Sequence, residues 1–132
     1  MKANFSVTNS VDERTIRVRM LGEFDSRTML RFVEEYRRVS DGYSGRRHMI
    51  LADMRGTVPI AAEPAAILGE AIAYSRRNGV VRCAHLSDDT VQKLQASRLG
   101  RSMSEHDRAT VEVISIDEAE RVLAECRASL AD

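Results

Sequence analysis

The sequence predicts an α/β fold: a mixed, mostly parallel five-stranded sheet with four helices, in one domain over residues 1–132. Three observations predict it. Thr15 to Leu21 alternates with period two, Ile16, Val18 and Met20 opposing Arg17 and Arg19, the mark of a strand wet on one face. Met49-Ile50-Leu51-Ala52-Asp53 is an unbroken apolar run, as a strand covered on both faces requires. Stripes of helical period separate the later strands, and parallel neighbours need such crossovers.

Taken in order, Asn4 to Thr8 reads as a first strand with Phe5 and Val7 on one face, and Ser10 to Glu13 as a polar turn. So short a connection makes the first two strands an antiparallel hairpin at the sheet edge. Asp25 or Ser26 caps a helix from Arg27 to Val39, whose stripe is Met29, Val33 and Tyr36, widened by Leu30 and Phe32. Ser40 to Arg47, with two glycines, is a loop into the central strand. Glu63-Pro64 opens a second helix that stops at Asn78-Gly79. Val80 to Leu86 is the fourth strand, and Asp88 or Asp89 caps a third helix carrying Val91, Leu94 and Leu99. From Gly100 the chain reads as irregular. Thr110 to Ile116 is the last strand. Asp117 with Glu120 forms a capping box for a final helix with its seam at Ala119, Val122, Leu123, Cys126 and Leu130.

Composition bounds the function. Hydrophobic residues at 43% and charged residues at 30% are those of a globular chain. Twenty basic and twenty acidic residues cancel, so no overall field favours nucleic acid or an anionic membrane. Lys2 and Lys93 are the two lysines, which leaves eighteen of the twenty basic residues as arginine. Cys83 and Cys126 fall in a strand and a helix with no metal-ligand spacing, and read as buried free thiols. No segment reaches the roughly 20 apolar residues of a membrane span. The expectation is a cytoplasmic protein without metal or cofactor.

Several motifs together resemble a known family. Gly22-Glu23-Phe24-Asp25 closing a strand before a helix resembles the Gly-Glu-(Leu/Ile)-Asp signature of STAS domains, the anti-sigma-factor antagonists and their SpoIIAA-like relatives. Met49 to Asp53 resembles that family's central strand, and Val81 to Leu86 and Val111 to Ala119 fit the SpoIIAA-like branch. The resemblance implies a STAS/SpoIIAA-like fold and a role in bacterial regulation through protein contacts. The family's phosphorylated serine has no counterpart. The stretch after the central strand is Thr57-Val58-Pro59-Ile60-Ala61-Ala62-Glu63-Pro64, where Thr57 is the sole hydroxyl.

In open parallel sheets ligands meet the loops at the carboxyl ends of the strands. Those loops hold Asp25, Asp53, Arg55 and Thr57, the residues expected to form a ligand or partner loop. Asp25, Asp88, Asp89 and Asp117 also have an ordinary reading as helix caps. Asp53 precedes its helix by about ten residues and reads as a backbone brace. Paired arginines at helix ends offset the helix dipole. His48, His85 and His106 share no spacing, and no nucleophile elbow or phosphate loop occurs.

The run Ala65 to Tyr74 is apolar on most sides, so it is either core or covered by another molecule. Ile67, Leu68, Ala71 and Tyr74 are the residues expected on a partner or dimer face. These observations favour a non-catalytic regulatory module that binds a protein partner or forms a homodimer, without a phosphoserine switch. The alternative is a small-molecule module taking an anion or lipid at the strand ends.

Overall fold

A computed structural model describes residues 2–88 and 108–130. Its elements are β1 (Asn4–Ser10), a 3-10 turn (Val11–Glu13), β2 (Thr15–Leu21), α1 (Ser26–Asp41), β3 (His48–Asp53), α2 (Ala62–Arg77), β4 (Val80–Leu86), β5 (Thr110–Val113) and α3 (Ile116–Ala128). The helix expected from Asp88 or Asp89 through Leu99, and the irregular stretch after it, lie outside the described residues.

The sheet has the spatial order β1-β2-β3-β4-β5. β1 is antiparallel to β2, with Phe5 opposite Met20 and Val7 opposite Val18. The remaining pairs are parallel, Ile16 beside Ile50, Ile50 beside Cys83 and Cys83 beside Thr110. This is the mixed, mostly parallel sheet that the alternation and the helical spacers predict.

The two faces of the sheet are covered differently. Ile16, Val18, Met20, Ile50 and Ala52 meet α1 and α2 in one core with Met29, Phe32, Val33, Tyr36, Leu68 and Ala71. Met49, Leu51, Ala84, Leu86 and Val113 meet Ala119 and Leu123 of α3 in the other. β3 lies in the middle and is buried along its whole length, as its unbroken apolar run requires. Arg17 fastens α3 to β2: its Nη2 donates to both carboxylate oxygens of Glu120, at 2.7 and 2.9 Å.

Local readings need correction at four points. Leu30 is exposed, because it follows Met29 by one residue and so lies about 100° around the helix from the buried stripe. β5 ends at Val113, and Ile114 and Ile116 are exposed. The chain turns there because Ser115, not Asp117, caps α3: its side chain accepts from the Glu118 N–H at 3.1 Å, while the Glu118 carboxylate accepts from the Ile114 N–H. Cys83 and Cys126 form no disulfide and are only half-buried, each at the margin of a core.

The amino-terminal end of β3 is held by a buried histidine. His48 Nδ1 lies 2.8 Å from the Arg46 carbonyl and therefore carries the proton, which leaves Nε2 to accept from the Ser40 hydroxyl at 3.2 Å. The ring stacks on Tyr43 at 4.2 Å, and the Tyr43 hydroxyl donates to Asn9 at 2.6 Å. Burial holds the His48 pKa below the usual histidine value, the bond to the Arg46 carbonyl opposing it without reversing it. The unfolded chain therefore takes this proton first as pH falls below about 6.5. Stability should be level above that pH and decline from there toward pH 5, in urea titrations followed by circular dichroism. His48→Gln should be less stable at pH 7 yet show a flatter profile over the same window.

Candidate functional site

The loop after β3 is built on Asp53. Its carboxylate is buried and accepts from Arg19 at 2.5 Å and from the Arg55 side chain at 2.9 and 3.0 Å, and also from the Arg55 backbone N–H at 3.1 Å. Burial alone would raise the Asp53 pKa, but the hydrogen bonds from Arg55 and the charges of Arg19 and Arg55 overcome it and hold it below the usual carboxylate value. One carboxylate thus ties β2, β3 and the following turn. Next to it, the Gly56 N–H donates to Asp88 at 2.9 Å.

Asp53→Ala should lower stability by about 1–2 kcal/mol, since both arginines keep access to water and recover part of their solvation. The loss should shrink below pH 4, where the unfolded chain's carboxylate takes up a proton before the native one does, so that the native contribution fades as pH falls further. A chevron or urea melt at pH 7 and pH 3 checks both parts.

Thr57 points inward. Its hydroxyl is buried and donates to the Met20 carbonyl at 2.9 Å. Backbone bonds from Gly22 to Gly56 and from Val58 to Gly22 stitch this turn to the end of β2. Val58 and Pro59 are exposed beyond the stitched base, and Ala61, Ala62 and Glu63 continue the exposed segment into α2. Asp25 stands apart as the N-cap of α1, accepting from the Thr28 N–H at 2.8 Å. Of the four expected loop residues, Asp53 and Arg55 are joined, Thr57 braces the same turn from inside, and Asp25 serves as a cap.

The expected partner face divides. Leu68 and Ala71 are buried against the sheet, because α2 turns its largest aliphatic side chains toward β3 and β4, so they offer no surface. Ile67 is half-buried against the same core. Tyr74 sits toward α1, its hydroxyl bonded to Asp41 and its ring under the Arg37 guanidinium at 4.4 Å. The outward side of α2 carries Ala62, Glu63, Ala66, Glu70 and Arg77.

Between α1, α2 and the sheet lies a cavity of about 100 Å³, walled mainly by aliphatic and aromatic side chains, among them Val18, Phe32, Ile50, Leu68, Ala71 and Ile72. The strand residues at its β4–β5 side are polar. His85 Nδ1 donates to Glu112 at 2.7 Å, and its Nε2 lies 3.2 Å from Met54 Sδ. No group of three or more His, Cys, Asp or Glu among the described residues is placed to hold a metal ion. Among the same residues, no helix is long and apolar enough to cross a membrane.

No protein-family model matches the sequence, and no curated protein matches it. Among solved structures, the fold is similar to an anti-sigma factor antagonist from Mycobacterium paratuberculosis, with a TM-score of 0.58 over 93% of this chain and 95% of that one, at 13% identity. Likeness at that identity is one of fold. The chain has the STAS/SpoIIAA-like arrangement that its Gly22-Glu23-Phe24-Asp25 turn and its strand order lead one to expect.

Proposed function

We propose that this chain is a non-catalytic regulatory module that binds a protein partner through the segment from Arg55 to Glu63 and works without a phosphorylation switch. The observation that carries the reading is the form of that segment. Val58 is 42% exposed on a turn whose base is pinned by Asp53 and by the buried Thr57 hydroxyl. An apolar tip on a rigid base binds with little loss of conformational freedom. The fold shared with an anti-sigma factor antagonist supports an anti-sigma factor as the class of partner. Thr57 is a poor acceptor for a kinase, since reaching its hydroxyl requires breaking the turn it braces.

The Arg55 guanidinium is engaged by Asp53, which weighs against an anion taken at the strand ends. The outward side of α2, with Glu63, Glu70 and Arg77 among alanines, weighs against a homodimer through that helix.

Val58→Asp should weaken binding to an anti-sigma factor at least tenfold, because a charge placed at the centre of a contact is desolvated without a partner. The melting temperature should move little, the side chain being substantially exposed. Calorimetric titration against the anti-sigma factors of the source genome is the direct measurement. Light scattering on the mixture separates a complex from self-association. If none of them binds the unmodified chain, or Val58→Asp binds as well, the reading fails.

A further inference from the structure

We infer that β1 pairs with β1 of a second copy of this chain, antiparallel about a two-fold axis at Val7, joining two sheets into one. β1 lies at the sheet edge and pairs with β2 alone among the described strands. Alternate residues therefore turn their N–H and C=O groups away from β2, and no other described strand takes them up. Edges of this kind are usually guarded by a charge, a proline or a bulge. β1 has none of these. It reads Asn-Phe-Ser-Val-Thr-Asn-Ser and keeps unbroken register with β2 from Asn4 to Ser10.

The ends of the strand select what the edge fits. An axis lying between two residues would set outward backbone groups against inward ones, so it must pass through a residue. Centred on Val7, the ladder takes in the whole strand, with Asn4 opposite the partner's Ser10 and Ser6 opposite the partner's Thr8. That register sets Lys2 beside the partner's Asp12 at each end. Both side chains are exposed, and neither forms an ion pair with a described residue. It also carries Val11, 66% exposed, toward the partner's Ala3.

The neighbouring registers are worse. Centring on Thr8 sets Lys2 against the partner's Arg14, and centring on Ser6 leaves Asp12 with no counterpart. Each of them also pairs fewer strand residues. Charge and pairing thus agree on one register and one occupant, a copy of the same chain. A two-fold pair uses both β1 edges at once and closes, leaving neither to propagate. It engages no residue from Arg55 to Glu63, so the dimer carries two copies of the proposed contact segment.

The test is sedimentation velocity on the full chain, in a concentration series from about 1 μM to about 1 mM. The expected result is a reversible monomer–dimer equilibrium. Ser6→Lys with Thr8→Lys sets lysine against lysine on both sides of the axis and should weaken dimerisation about tenfold or more. Ser6→Glu with Thr8→Lys should restore it to at least the unmodified level, because in this register each new acid faces a new base. Both positions are exposed, so cooperative melting is retained in each variant. The comparison between the two holds even if both are destabilised. A chain that stays monomeric throughout the series overturns the proposal. So does a double-lysine variant that dimerises as well as the unmodified chain, or a Glu/Lys variant no tighter than the double-lysine one.

Discussion

Gly79→Ala should lower the stability of this protein by about 3–4 kcal/mol, among the largest effects of any single methyl group added to it. Gly79 has φ +105°, a conformation that side-chain-bearing residues enter only at a cost of about 1–3 kcal/mol. A Cβ there would stand 2.4 Å from the Arg46 carbonyl oxygen and 2.8 Å from that of Gly45, both backbone atoms that cannot swing aside. The damage would spread. The Gly79 carbonyl accepts from the His48 N–H at 2.9 Å, at the point where the β3–β4 register shifts between His48 and Met49. Moving it loosens the seat of the buried histidine as well. Urea denaturation should show a lowered midpoint with an unchanged slope. A loss below about 1 kcal/mol would mean that the β3–β4 junction relaxes far more easily than its packing implies.

Leu123→Ala should cost a similar amount, about 3–4 kcal/mol, for a different reason. Leu123 is fully buried on α3 among Met49, Leu51, Ala84, Leu86 and Val113, and truncating it removes apolar burial and leaves a hole the sheet cannot close. Its neighbour Val122 is half-buried at the margin of the same core, so Val122→Ala should cost about 1 kcal/mol and serves as the control. The pair of melts also reads the separation of the two faces. Leu123→Ala should leave the methyl resonances of Ile50 and Ile72, on the α2 side, close to their wild-type positions.

Much of this architecture was legible because the signals were local. Ile16, Val18 and Met20 against Arg17 and Arg19 define both a strand and its buried face, and each of those three apolar residues is buried. The Asp25 cap and the Asn78-Gly79 stop are likewise chemical necessities readable within a few residues. α2 is ambiguous because it is rich in alanine, which carries little preference for either side. Only the tertiary arrangement turned Leu68 and Ala71 inward. The apolar residues Ile114 and Ile116 extend the strand pattern past Val113, but the Ser115 cap turns the chain there, so β5 is shorter than its sequence pattern.

The site was less legible than the frame. Asp53 as a brace followed from its distance to the next helix, but Arg19, its second partner, lies 34 positions earlier in the chain and gave no sign of the pairing. The cavity left no trace in the sequence. A void is a shortfall of volume among residues as distant as Val18, Phe32 and Leu68, and each of them alone looks like ordinary core. Tyr36 shows the same limit: a helical stripe places its ring in the core without saying whether its hydroxyl finds a partner.

The five strands lie across the sheet in the order in which they are synthesised. Each new strand therefore finds its neighbour already formed at the growing edge, and no strand waits for a later one to be inserted between itself and the last. For a parallel sheet this is the arrangement with the shortest loops to close, which favours rapid folding. It also gives assembly a direction. The β1–β2 hairpin can form while the ribosome is still adding α2, and each exposed edge lasts only until the next strand emerges to cover it.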